Sequence, residues 1–310
     1  MGFLIEDLVS GVKSRSFVPV SQSTFVDPDS FISLLDSELK IKLVADIIGA
    51  REDYFLTSKV VPLVAGQSRY TIPARAVGTS FKALFRKTPQ NQSILLDRID
   101  LERVQDFSGG TGSPTKFIFE GDEIQVFPTP VSSGDVLDFR YYARPNSLCA
   151  TTSCAKITSL SSLAGTTTLT VDTDLTASLL VGSKIDLLSA TPPFLLWADH
   201  VVVTNITTST VSVATSDISN EVLEVEPQIG DYVCPAGFSN IPMIPLELQP
   251  VLEQMAVCRA LRAIGALERY KAENEELKEM RAEALKLIRN RSEISPRKVI
   301  ARNAPLGAYK

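Results

Sequence analysis

The chain has 310 residues, 44% of them hydrophobic and 22% charged, with a formal net charge of −5, enough for one large domain or two medium ones with an ample core. The mild acidity excludes a surface built throughout to hold nucleic acid, and no apolar run approaches the roughly 18–20 residues of a membrane span. The four cysteines, Cys149, Cys154, Cys234 and Cys258, and the single histidine make neither a zinc pattern nor a disulfide framework, so reduced thiols and folding in a cytosol are expected.

Residues 1 to about 25 carry scattered apolar positions (Phe3, Leu4, Ile5, Leu8, Val9) before a stretch rich in Ser, Val, Gln and Thr. They read as a loosely ordered arm or as a short helix that docks on a neighbour. No basic n-region precedes an apolar h-region, so export by a signal peptide is not expected. Asp27-Pro28 opens the first clear helix, with Asp27 as N-cap and Pro28 in the first turn. Phe31, Leu34, Leu35, Ile41, Val44, Ile48 and Phe55 predict an apolar face over residues 28–55, with Gly49 as a place to bend.

Beyond Phe55 the period moves toward two. Val60 to Val64 and Arg69 to Pro73, about the turn Ala65-Gly66-Gln67, predict a hairpin whose prolines confine it to sheet edges. Phe81 to Arg86 and Gln92 to Leu95 predict two short strands, and Asp100 to Asp106 a short helix. The glycine-rich loop from Ser108 to Pro114 lacks the Lys-Ser or Lys-Thr and the following helix of a phosphate cradle, so it reads as a turn. Lys116 to Glu120 and Glu123 to Phe127 form the clearest hairpin, and Val136 to Ala143 a long strand.

From about Thr151 to Pro235 Thr, Ser and Val dominate and basic residues almost vanish. Short strands at 156–160, 168–171, 184–188, 200–206, 210–213 and 230–234 predict a small β-barrel or sandwich. Strands precede it and a long helix follows, so it reads as an insertion.

Pro245 then starts a helical stretch to about Ile288, either one helix or two joined near Gly265. Leu248, Leu252, Met255, Cys258, Leu261 and Ile264 give it a broad apolar face. After Tyr270 the stripe narrows to Leu277, Met280, Ala284, Leu287 and Ile288. Glu268/Lys271, Glu275/Lys278 and Glu283/Lys286 flank it as i,i+3 pairs, each adding a few tenths of a kcal/mol. From Lys286 to Lys310 seven basic residues stand against Glu293 alone, so a basic segment follows an acidic body.

The expected architecture is α+β. Long N- and C-terminal helices frame a β-hairpin-rich core in residues 1–150 plus 236–294, a small all-β barrel or sandwich is inserted at 151–235, and a basic tail extends over 295–310. Catalytic signatures are weak. Asp199 and His200 are adjacent on a strand, which points them to opposite faces, and no serine-nucleophile, paired-carboxylate or calcium-loop pattern stands out. No cofactor and no metal site is expected. Trp197 with Pro192, Pro193 and Phe194 forms an exposed-looking apolar cluster, read either as a packed turn or as a contact point for a protein or glycan.

The order of elements is informative. A long helix ending in Ala50-Arg51-Glu52-Asp53-Tyr54-Phe55 leads into Leu63 to Ala76; Tyr141-Tyr142-Ala143-Arg144-Pro145 follows, and Ile244 to Leu248 opens the closing helix. Together these resemble the head-to-tail connector (adaptor, neck) proteins of tailed bacteriophages. The resemblance implies a non-enzymatic virion protein, made in the host bacterial cytoplasm, that forms a ring, commonly of twelve copies, between the portal and the tail. It further implies a lumen through which genome DNA passes during ejection without specific binding, and no membrane. The C-terminal helix and tail (Arg289, Arg291, Arg297, Lys298, Val299, Ile300, Arg302, Tyr309) would dock on the portal protein. The β domain would face the next tail protein, nozzle, tube or fibre, with Pro193, Phe194 and Trp197 as candidate contacts. A second reading is a binding module whose β insertion holds a tail fibre or glycan.

Overall fold

The computed structural model describes residues 3–16, 28–79, 81–107, 109–192, 194, 196–218 and 227–289. Residues 5–16 are helical rather than a loose arm: α1 (Ile5–Ser16) buries Ile5, Leu8, Val9 and Val12, spaced by three or four. The expected N-cap Asp27 lies outside the described residues. The next helix has three parts. An α-helical segment, α2 (Pro28–Glu38), passes through a π-helical turn (Leu39–Leu43) into α3 (Val44–Ala50). Leu35, Leu39, Leu43 and Ile47, four apart, are each 0% exposed, whereas Ile41 is 70% exposed. The wider π turn explains the reversal, since the added residue per turn stops the four-residue repeat from drifting off the core face. The helix therefore ends at Ala50, with Gly49 inside its last turn, and Phe55 lies beyond it.

Nine short strands follow in the body. They are β1 (Leu56–Pro62), β2 (Arg69–Thr71), β3 (Ala83–Lys87), β4 (Ser93–Leu95), β5 (Asp97–Arg98), β6 (Lys116–Glu120), β7 (Glu123–Phe127), β8 (Val136–Tyr142) and β9 (Ser147–Leu148). Two four-stranded sheets result, ordered β1-β8-β3-β4 and β2-β7-β6-β5. The predicted β1/β2 hairpin is not formed, because each strand pairs with a later partner: Leu56 stands opposite Tyr142 and Arg69 opposite Gln125. Both are edge strands, as their flanking prolines require. The β6–β7 hairpin forms as expected about Gly121, whose φ of 65° suits a tight turn. Leu84, Phe117, Ile124, Leu137 and Phe139 fill the space between the sheets. Phe81 packs there against Phe117 and Phe119 at a tilt and against Phe139 edge to face, with centroids 4.8 to 5.5 Å apart. The helix expected at 100–106 is a 3-10 turn, Leu101–Asp106.

A closed barrel occupies the region predicted to be all-β. Its strands are β10 (Ala155–Leu163), β11 (Thr166–Val171), β12 (Lys184–Leu188), β13 (Leu196–Ile206), β14 (Thr210–Ala214) and β15 (Tyr232–Pro235), with a short helix, α4 (Thr215–Ile218), after β14. Around the barrel they run β10-β11-β14-β13-β12-β15. Alternate residues (Ile185 and Leu187, Val201 and Val203, Val211 and Val213) point inward and are at most 2% exposed. Register shifts in β10, β12 and β13 supply the bends that closing six short strands requires. A two-residue strand, β16 (Phe238–Ser239), then pairs in parallel with β9, so the incoming and outgoing chains of the barrel run side by side.

The closing stretch is two helices, α5 (Gln249–Ala263) and α6 (Leu267–Ile288). Pro245 caps a preceding 3-10 turn, and Pro250 occupies the first turn of α5. The break is a Schellman motif: Ala266 N–H donates to Leu261 O, Gly265 N–H donates to Arg262 O, and Gly265 takes φ 77°. α5 is buried on nearly all sides by α1, α2 and α6, which makes it the axis of the helical core. α6 covers one side, with Ala284 and Ile288 buried and Tyr270, Leu277 and Met280 packed against the core. Leu287, expected in that stripe, is 63% exposed. Glu268–Lys271 and Glu275–Lys278 form the predicted i,i+3 pairs, at 3.0 and 2.6 Å.

Candidate functional site

The barrel is tied to the rest of the chain by a buried polar joint. The joint is built on Asp186, in the middle of β12 and 0% exposed. Its Oδ2 accepts from Asn146 Nδ2 and from the Gly237 N–H, both at 2.8 Å, and its Oδ1 accepts from the His200 N–H at 2.9 Å. Arg75 of the body reaches over: it donates to Asn146 Oδ1 at 2.6 Å and to Arg144 O at 3.1 Å, with Nη1 4.0 Å from Asp186. A buried carboxylate is tolerated only when paired and hydrogen-bonded, and this one is. The joint thus ties β12, β13, the β16 turn and the body into one polar network. A second tie lies nearby: Asp36 of α2 accepts the Leu148 N–H, and Lys40 donates to Ser147.

Asp199 and His200 do not point to opposite faces. Ile185 faces Val201 while Leu187 faces Ala198, so two residues of β13 stand opposite Asp186 alone. This bulge puts His200 at φ 58° and brings its Nδ1 within 3.6 Å of Asp199 Oδ2 and 4.0 Å of Asp186 Oδ1. Asp199 also lines a cavity of about 200 Å³ between barrel and body, together with Arg75, Tyr54, Tyr141 and Met243. Burial pushes the Tyr141 phenol up to about 12, with the Asp199 carboxylate adding to it. Both carboxylate oxygens of Asp186 are engaged by backbone and amide donors, and the Asp186–Asp199–His200 group braces the bulge as a strut. Among the described residues no group of three His, Cys, Asp or Glu side chains is placed to hold a metal ion.

The second candidate region is the C-terminal end of α6. Arg281 pairs with Asp46 of α3, Arg15 of α1 reaches Glu253, Glu273 and Glu276, and Gln254 donates to the Glu273 side chain at 2.7 Å. These ties hold α6 where its apolar stripe is thin, and its last turn then projects exposed Leu287 and Arg289. A cleft of about 390 Å³ opens there, lined by Arg51, Tyr54, Phe194, Glu247, Leu287 and Arg289. Of the portal-docking residues expected from the resemblance, Arg289 is therefore exposed at the helix end. Arg291, Arg297, Lys298, Val299, Ile300, Arg302 and Tyr309 lie outside the described residues. In the other predicted cluster Phe194 is 2% exposed, so it is a buried residue and not part of an exposed patch. Its backbone stands at φ 55°, and it lines both the cleft and the cavity. Pro193 and the Trp197 side chain lie outside the described part, although Trp197 itself falls within β13.

The expectation of reduced thiols also changes. Cys154 and Cys234 form a disulfide, with Cα atoms 4.5 Å apart. The cause is register: Ala155 pairs with Val233, which puts Cys154 and Cys234 directly opposite at a non-hydrogen-bonded position, where strands approach most closely. Eighty residues separate the two in sequence, which is why no spacing rule finds them.

No helix among the described residues is long and apolar enough to cross a membrane. A protein-family model described as SU10 adaptor protein matches residues 27–183, a little over half of the chain. The match starts at α2, takes in both sheets and the first two barrel strands, and stops one residue before β12. No curated protein matches the chain.

Proposed function

The chain belongs to the SU10 adaptor protein family, a phage head–tail adaptor family, and from that premise we propose that it is a ring subunit seated between the portal and the tail. Its place among phage structural adaptors follows from the family; the ring, its twelve copies and its contacts are our reading. In this reading residues 1–150 with 236–294 form the ring, and the inserted domain, 151–235, faces the next tail component. The C-terminal end of α6 and the basic residues after it dock on the portal. The family match carries the proposal. The exposed end of α6, where Leu287 and Arg289 lead into the basic run, supports the portal contact. Arginine suits anchoring on acidic protein surfaces because its planar fork binds carboxylates bidentately. The segment is also partly apolar, with Val299, Ile300 and Tyr309 among its basic residues, so it can bury apolar surface as well as pair charges on a partner. The acidic body fits a lumen through which DNA passes unbound, since phosphates are repelled by it.

Native mass spectrometry of the protein alone, and then mixed with a portal ring, tests the reading. A monomer that becomes a fixed multiple on the portal supports it. Deleting Pro296 to Lys310 is expected to abolish that attachment with the fold intact, as judged by circular dichroism. A truncated protein that still co-purifies with the portal contradicts the docking role, and a full chain that ignores the portal contradicts the ring.

A further inference from the structure

Where the chain crosses into and out of the barrel, three sulfurs meet. Cys154 and Cys234 are bonded, and the Sγ of Cys149 lies 3.5 Å from the Sγ of Cys154. The group is packed in an apolar nest with Leu188, Leu196, Tyr232 and Met243. The backbone around it is held on both sides: Cys149 N–H donates to Ser239 O at 3.0 Å, and Ala155 pairs with Val233. The sulfur of Cys149 is therefore kept in contact with the bonded pair by structure on either side of it.

We propose that this neck is an exchangeable disulfide, able to pass between a Cys154–Cys234 pairing and a Cys149–Cys154 pairing. The thiolate of Cys149 attacks the Sγ of Cys154. A Cys149–Cys154 bond forms, the Cys154–Cys234 bond breaks, and the electron pair leaves on the Sγ of Cys234, which takes up the proton Cys149 gave to solvent. One disulfide and one thiol stand on each side of the step, so no external oxidant or reductant enters. The two pairings differ in what they join. The first staples the incoming chain of the barrel to its outgoing strand. The second closes a small loop within the incoming chain alone, which leaves the two crossings held by the β9–β16 and β10–β15 hydrogen bonds. The exchange thus makes the attachment of the barrel adjustable at its neck, and it does not depend on the portal reading above.

Burial pushes the Cys149 thiol up to about 12, so the attacking thiolate is scarce at neutral pH and exchange is slow there. Its population rises about tenfold for each pH unit below that value, so the exchange rate should rise about a hundredfold between about pH 8 and about pH 10. The test uses the full chain, oxidised with a glutathione redox buffer, trapped with N-ethylmaleimide after timed incubation, digested and mapped by mass spectrometry. Wild type should start with the Cys154–Cys234 peptide and gain the Cys149–Cys154 peptide at the pH-dependent rate. Cys149→Ser should keep Cys154–Cys234 at every pH. Cys234→Ser, which lacks the leaving sulfur, should carry Cys149–Cys154 from the outset. The proposal is overturned if wild type never yields the Cys149–Cys154 peptide at the higher pH, or if all three thiols are alkylated after oxidation. It is equally overturned if Cys234→Ser leaves both remaining neck thiols free.

Discussion

Replacing Asp186 with alanine removes the one group on which the barrel–body joint converges. The Asn146 amide, the Gly237 N–H and the His200 N–H each lose an acceptor now held at 2.8 to 2.9 Å. Arg75, whose side chain is 12% exposed, loses its nearby counter-charge. A buried donor left without a partner costs roughly 1–3 kcal/mol, and removing one member of a buried charge pair roughly 3–5 kcal/mol. These terms overlap, because one inserted water can satisfy two donors, so the expected loss is about 3–5 kcal/mol. That is a large share of the roughly 5–15 kcal/mol by which a domain is ordinarily stable. Asp186→Asn keeps one acceptor oxygen and presents an NH2 to donors, so about 2 kcal/mol is expected. Urea unfolding followed by circular dichroism measures the global effect. Native-state hydrogen exchange of β12 and β13 amides shows whether the barrel opens first, as it should if the joint holds it to the body. A double-mutant cycle with Arg75→Ala should give a coupling of at least about 1 kcal/mol. An Asp186→Ala chain destabilised by less than about 1 kcal/mol, or with exchange unchanged in β12, refutes the strut.

Three further outcomes follow from single sites. Leu39→Ala should cost about 3 kcal/mol by urea unfolding and Ile41→Ala less than about 0.5 kcal/mol, although both sit in the π turn, because Leu39 is 0% and Ile41 70% exposed; equal losses would mean the turn does not set the core face. Ala164 takes φ 50° in the two-residue turn between β10 and β11, next to Gly165 at 79°. Ala164→Asn creates the Asn-Gly pair such turns favour and should raise thermal stability by about 1 kcal/mol; an unchanged or lowered midpoint would contradict this. Burial, and then the Glu273 charge, pushes the Cys258 thiol up to about 11 from an ordinary value of 9.0. As pH rises past 9 the unfolded thiol ionises while the folded one stays protonated, so stability is full below 9 and falls toward 11. At pH 10 the loss from this group is about 1 kcal/mol, and Cys258→Ala should abolish that part of the decline between pH 8 and 10, read as the shift in urea midpoint.

Much of this protein was legible from local pattern. The β6–β7 hairpin, the strands of the barrel and the helical closing stretch all rest on period, turn residues and caps, and these act over a few residues. Gly265 marks where that stretch can break, being free to take positive φ between two apolar stripes, and the Schellman bonds of Gly265 and Ala266 show that it does break there. The strands that local pattern pairs wrongly depend on partners far away in the chain. Val60 to Val64 and Arg69 to Pro73 look like a hairpin because they adjoin, yet β1 finds β8 and β2 finds β7, where Phe139 and Ile124 complete the shared core. Ile41 fits an ideal helical stripe, but the stripe that is buried runs through Leu39 and Leu43 because the helix widens by a residue.

The joint and the neck show the same division more sharply. Composition and local pattern suffice to place an all-β unit between a hairpin region and a helical close, to put a basic run after the last helix, and to show the resemblance to the adaptor family. The bulge that turns His200 toward Asp199, the burial of Asp186 beneath Arg75 and the facing of Cys154 and Cys234 come instead from long-range strand pairing. Each of those depends on register, the exact alignment of strands tens of residues apart. A slip of one residue in that alignment leaves local propensity unchanged and sends every side chain to the opposite face.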